Sequence, residues 1–229
     1  MKPAKTASTM TGNETPPSPL PRMPLQQRSQ QRVEAALAIA ERMIQELGPE
    51  RLSIPEVAKA ADIPRASLYQ FFPEKYVLLA RIAEIHIARL TELLAERACS
   101  HGADSYAAWI GALIEAAANY YDSHPVASIL VLGGPYSHAA HLAQENMMAT
   151  IGAVLRSATE SKVPGIRVSR SPDVSTLAVE IAFACMKHGY YQDGCITEAI
   201  RAQAVTAVTA YAEASIPGLA RAFRSQRDH

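Results

Sequence analysis

Between Arg65 and Lys75 the sequence groups side chains suited to recognition rather than to bond breaking. The planar guanidinium of Arg65 matches the acceptor edge of a guanine, and the amide of Gln70 matches adenine. The methyl of Ala66 can meet a thymine methyl. Ser67, Tyr69 and Lys75 carry hydroxyl and ammonium groups suited to phosphate oxygens, which fix register rather than sequence. Ser53, ahead of them, completes the candidate set facing a nucleic-acid duplex.

Catalytic and metal chemistry find little footing. The sequence lacks GxSxG, HExxH, a Walker loop and GxGxxG. Its three cysteines, Cys99, Cys185 and Cys195, have neither disulfide-framework nor zinc spacing, and read as reduced, partly buried thiols. His138 and His141 stand three residues apart with only Glu145 nearby, the pattern of a solvated helix face. No enzyme activity, cofactor or metal is expected.

The elements that must position these residues are helices. Val33, Ala36, Leu37, Ala40, Ile44 and Leu47 recur at three- and four-residue steps, the apolar face of a first helix that Gly48 ends. Ser53-Ile54-Pro55-Glu56 reads as a capping box opening a second helix, with serine and glutamate each satisfying the other's amide. Asp62-Ile63-Pro64 breaks it, and Pro64 starts a third helix through Phe72, which Pro73 ends. Val57, Leu68, Phe71 and Phe72 are the expected core. Helix, tight turn and short helix is the geometry of a helix-turn-helix, whose second helix is free to enter a major groove about 12 Å wide.

A long helix from about Glu74 to Cys99 shows two apolar stripes, Leu78-Ile82-Ile85-Leu93 and Leu79-His86-Leu90, and so touches two packing partners. Further helices are expected near 104–122, 125–132, 137–160, 173–193, 196–214 and 216–225, with no strand. The fold class is all-α. A three-helix head (28–75) precedes a larger helical body (76–229), and a Pro-rich tail (1–27) holding six of the fifteen prolines cannot bury enough apolar surface to order itself.

The run Leu52-Ser53-Ile54-Pro55-Glu56-Val57-Ala58, then Ile63-Pro64-Arg65-Ala66-Ser67-Leu68-Tyr69-Gln70-Phe71-Phe72-Pro73-Glu74-Lys75, then Leu78-Leu79 resembles the TetR family of transcriptional regulators. The most specific part is Leu68-Tyr69-x-Phe71-Phe72-x-x-Lys75, and the likeness spans roughly residues 28–80. It implies a homodimeric repressor that binds a double-stranded DNA operator and is released by a small-molecule effector. Tyr69 and Ser67 would then contact phosphates, Lys75 would anchor the long helix, and Arg65 and Ala66 would face bases. The chain departs from the family pattern at Asp62 (usually glycine), Pro64 (usually a serine cap), Tyr76 (commonly acidic) and Pro55 (often a polar contact residue).

For the body, apolar bulk with a few polar tips makes Trp109, Tyr120, Tyr121, His124, Tyr136, Met147, Met148 and Phe183 the candidate ligand-pocket residues. Small residues such as Ala178, Ala182, Ala184, Gly189, Ala202 and Ala210 mark the last two full helices as the dimer face. Charge is balanced overall, but residues 1–81 hold 11 basic against 8 acidic groups, a mild lean toward an anionic partner at that end. No apolar run reaches the ~18–20 residues of a membrane span, so a cytoplasmic protein is expected. The rival reading is an all-α ligand-binding protein or enzyme that does not bind DNA.

Overall fold

The computed structural model describes residues 25–99, 105–134 and 136–225. Helices follow one another throughout: α1 (Leu25–Leu47), a 3-10 turn (Pro49–Arg51), α2 (Ile54–Ala60), α3 (Arg65–Phe71), α4 (Lys75–Cys99), α5 (Tyr106–Ser123), α6 (Pro125–Ala127) running into a π-helical turn (Ser128–Leu132), α7 (His138–Lys162), α8 (Val174–Asp193), α9 (Glu198–Ser215) and α10 (Leu219–Ser225). No strand occurs among the described residues, and none of their helices is long and apolar enough to cross a membrane. The expected tail lies outside the described residues up to position 24; residues 25–27 already belong to α1.

Local chemistry sets the helix starts. Ser105, Ser137, Asp173 and Thr197 each accept the N–H of the residue three positions on, so an orphan amide is satisfied at the head of α5, α7, α8 and α9. Asp173 also accepts from Arg156 Nη1 at 2.8 and 2.9 Å, which fastens the start of α8 to α7. Gly194, left-handed at φ 71°, closes α8. Arg201 on α9 donates to Glu115, Asn119 and Asp122 on α5 and to the Ile196 carbonyl, joining the two helices at one end.

Two apolar cores result. The head core holds Ala36, Ala40, Ile44, Val57, Leu68 and Phe72, together with Leu78, Leu79, Ile82 and Ala83 of α4 and Val126 and Leu130. The body core holds Leu90, Leu94 and Ala98 of α4 with the inner faces of α5, α7, α8, α9 and α10. The two expected stripes of α4 are thus better described as two ends. Buried positions every fourth residue (Leu78, Ile82, His86, Leu90, Leu94, Ala98) on a helix of 3.6 residues per turn carry the buried surface progressively around the axis, so residues 78–83 meet one core and residues 90–98 the other, with His86 between.

Two expected core residues lie at the surface. Phe71 is 38% exposed: on the one-turn-and-a-half α3, Leu68 and Phe72 take the inward positions and Phe71 turns to the side. Leu47 is 40% exposed, at the frayed end of α1 beyond the last inward residue, Ile44. Cys99 and Cys195 are also exposed, and only Cys185 is partly buried.

Gly152, in the middle of α7, marks a close approach of two helices. A Cβ there would lie 2.4 Å from Thr176 Oγ1 and 2.8 Å from the Thr176 backbone, so α8 crosses α7 where a side chain is missing. This contact compensates for the roughly 1 kcal/mol that an interior glycine costs a helix relative to alanine.

Candidate nucleic-acid interface and effector cavity

The head is built outward from Leu68, which is fully buried. With Phe72 four residues on, it holds α3 against α1 and α2. Burial of each such side chain contributes about 1.5–3 kcal/mol. The opposite face of α3 is left to solvent: Arg65, Ala66, Tyr69 and Gln70 are exposed and Ser67 is half-buried. The turn before it is tight. Ile63 N–H donates to the Ala58 carbonyl at 2.9 Å, and Asp62 adopts φ 53°, a left-handed conformation that favours glycine and that aspartate tolerates better than most. That backbone accounts for the glycine usual at this point of the family pattern.

Pro64 caps α3 without a side-chain hydrogen bond; its carbonyl instead accepts from Ser67 and Leu68 N–H at 2.9 and 3.2 Å. Ser53 caps α2, but not as the reciprocal box expected. Its hydroxyl oxygen accepts Glu56 N–H at 3.4 Å, and the same hydroxyl donates to the Glu56 carboxylate at 2.8 Å. The carboxylate therefore binds the hydroxyl, not the Ser53 amide, because the serine side chain lies within its reach. Lys75 points back across the head: its Nζ donates to the Glu50 carbonyl at 2.8 Å, tying the first turn of α4 to the 3-10 turn after α1. Ser53, Arg65, Ala66, Ser67, Tyr69 and Gln70 thus lie on or beside the two short helices, while the Lys75 ammonium is engaged within the protein.

The body holds a partly open cavity of about 60 Å³ between α4, α5, α7, α8 and α9. Of the expected pocket residues, Tyr121, Met147, Met148 and Phe183 line it. The others lie elsewhere. Trp109 packs against Tyr106 and Phe223 and donates Nε1–H to the Ala98 carbonyl at 3.3 Å. Tyr136 packs on the head core. Tyr120 and His124 stack on each other with ring centroids 4.2 Å apart, beside His86. Leu90, Leu94, Ala178, Ala182 and Met186 also line the cavity and escaped the sequence reading, since aliphatic residues at helical spacing carry no signal that separates cavity wall from filled core. Ala182 in particular is half-buried and borders this cavity.

His86 is the buried titratable group at the junction of head and body. Its side chain is 3% exposed, Nδ1 shares a hydrogen bond of 2.9 Å with the Tyr120 hydroxyl, and Nε2 lies 3.8 Å from the Glu41 carboxylate on α1. Burial, aided by the nearby charges of Arg89 and His124, pushes its pKa down to about 4, so the ring is neutral near pH 7 despite Glu41. Among the described residues no three His, Cys, Asp or Glu side chains gather in reach of one metal ion.

Comparison with known proteins bears on both halves. Residues 36–82 match the family model of bacterial regulatory proteins, tetR family. No curated relative matches the chain. Among solved structures, a TetR-family transcriptional regulator from Streptomyces coelicolor superposes with a TM-score of 0.63 at 20% identity, over 80% of this chain and 99% of that one. Reduced NemR from E. coli gives 0.58 at 19% identity, over 79% and 96%. The fatty acid degradation regulator FadR from Bacillus halodurans gives 0.57 at 11% identity, over 78% and 96%. The segment that folds α2 and α3 against α1 and α4 is similar to the tetR-family model, and the described chain around it has the fold seen in solved TetR-family transcriptional regulators.

Proposed function

We propose that this chain is a homodimeric, ligand-responsive repressor that binds a double-stranded DNA operator through α3 and leaves it when a small molecule enters the body cavity. The observation that carries the reading is the two-sided character of α3. Leu68 is sunk in the head core while Arg65, Ala66, Tyr69 and Gln70 face outward from one short helix. Arg65 and Gln70 would read bases, Ala66 would meet a thymine methyl, and Ser53, Ser67 and Tyr69 would hold phosphates. Lys75 would act indirectly, by fixing α4 to the head through the Glu50 carbonyl.

Residues 28–75 would serve as the DNA-binding unit and residues 76–229 as the effector-binding and dimerisation unit. Leu90 and Leu94 on the cavity wall belong to the same helix that enters the head core at Leu78 and Ile82, which supports coupling between the two. For the dimer, Leu177, Ala184 and Tyr191 recur every seven residues on the exposed side of α8, with Leu177 38% and Tyr191 59% exposed. A two-fold pairing of this stripe is self-complementary. Two recognition helices would then need a separation near 34–36 Å, or a multiple, to meet successive major grooves.

The test is fluorescence anisotropy or gel shift on the DNA upstream of the protein's own gene, at several salt concentrations. Saturable binding to one fragment, weakening steeply with salt, is the expected result. Failure to bind any fragment at low salt would favour an all-α ligand-binding protein instead.

A further inference from the structure

We infer that the body cavity selects an uncharged, largely hydrocarbon molecule carrying one hydrogen-bonding oxygen or nitrogen, and that the Tyr121 hydroxyl is the group that meets it. The inference rests on the effector reading above for its biological role, but its own basis is the cavity wall. Every lining residue except Tyr121 is aliphatic, aromatic or a methionine, and none carries a charge. Tyr121 is fully buried, and its hydroxyl finds no hydrogen-bond partner among the described residues. A buried hydroxyl without a partner is costly, so a protein that keeps one beside a cavity has a donor and acceptor waiting there. Burial also raises the Tyr121 pKa well above the ordinary phenol value, so the group stays protonated and cannot offer a charge to a cationic ligand.

The same wall argues against ions. A carboxylate or ammonium drawn into this space would lose its water and gain only one neutral hydroxyl, because no lysine, arginine, histidine or carboxylate reaches the lining. An uncharged ligand with a single polar atom loses little and satisfies Tyr121. Size follows from the same residues. At about 60 Å³ the cavity is well below the ~150 Å³ of an apolar cavity that takes up benzene, so a ligand of that size needs the walls to yield. They are made to do so. Met147, Met148 and Met186 bring flexible unbranched side chains, and Leu155, Val179 and Phe183 on the α7–α8 side are only half-buried.

Four para-substituted toluenes decide the matter: the isosteric pair p-cresol and p-xylene, and the slightly larger 4-methylbenzoate and 4-methylbenzylammonium, titrated at pH 7.5 into the full chain by calorimetry or ligand-observed NMR. The expected order is p-cresol about tenfold tighter than p-xylene, the equivalent of one net hydrogen bond, with both charged probes at least about a hundredfold weaker than p-cresol. In Tyr121→Phe the advantage of p-cresol over p-xylene should vanish while p-xylene binds as before, which also shows that the variant folds. A charged probe binding as well as p-cresol would overturn the inference. So would equal affinity for p-cresol and p-xylene, or a preference that survives Tyr121→Phe. Absence of binding by either neutral probe would overturn it too, while operator binding in the gel shift, measured separately, would leave the regulatory reading standing.

Discussion

Acidification should weaken this fold through His86 before it titrates most carboxylates. The ring is neutral in the native state with a pKa of about 4, against 6.5 for an ordinary histidine, because it is buried between α1, α4 and α5 with Arg89 and His124 nearby. A native pKa below the unfolded one means that the unfolded chain takes up the proton first. The contribution of neutral His86 is therefore complete above about pH 6.5 and is lost as pH falls toward 4. With those two values the loss between pH 7 and pH 5 is about 2 kcal/mol, and about 3 kcal/mol once pH is well below 4. Glu41, 3.8 Å from Nε2, works in the opposite direction but does not outweigh burial. The assay is urea denaturation at pH 7 and pH 5 for the wild type and for His86→Gln, which keeps a polar group near Tyr120 but does not titrate. Titrating groups remote from His86 cancel in the difference, whereas Glu41 and His124, which face it, belong to the effect being measured. The wild type should lose about 2 kcal/mol more than the variant over this interval. Parallel losses would show that His86 is charged or solvated in the native protein, and the account of the junction would fall.

Three further outcomes follow from particular contacts. Gly152→Ala should destabilise the protein by at least about 1–3 kcal/mol in urea denaturation, since the new methyl meets Thr176 backbone at 2.8 Å and not a movable side-chain tip; an unchanged midpoint would mean that α7 and α8 stand farther apart. Arg65→Ala should relax preference at one operator base pair by about 1–3 kcal/mol, measured by competition among single-base variants, and an unaltered preference would remove Arg65 from base reading. Leu177→Glu, on the exposed stripe of α8, should shift the sedimenting species from dimer to monomer with the helical circular dichroism retained; an unshifted mass would move the interface elsewhere.

The head was largely legible in the sequence because its signals are local. Ser53, Asp62, Pro64 and Pro73 punctuate short helices, and Leu68 with Phe72 gives an inward pair four residues apart. The exposed face of α3 follows from that pair. Phe71 was misjudged because side-chain type does not say where a one-and-a-half-turn helix ends its buried arc. The body was legible as helices but not as a site. Tyr121 and Trp109 are both buried aromatics on α5, yet one borders the cavity and the other is locked on the Ala98 carbonyl, and only the crossing of five helices separates them. Nothing in the sequence around Gly152 signals that α8 rests on it, because that contact comes from a helix more than twenty residues away. Ala182, singled out for its small side chain, is half-buried and borders the body cavity, a position that only the packing of α7 against α8 sets.

The head core has a consequence for taking the protein apart. It draws Leu78, Leu79, Ile82 and Ala83 from α4, and Val126 and Leu130 from a segment some fifty residues downstream in the chain. A fragment severed at Lys75 would lose Leu78, Leu79, Ile82, Ala83, Val126 and Leu130 from its core, so it is a poor candidate for an autonomous module. A chimera that grafts this head onto another body must carry α4 at least to Ala83 and supply counterparts of Val126 and Leu130. Chimeras joined at the end of α3 should be recovered aggregated, whatever residues are placed on the exposed face of α3.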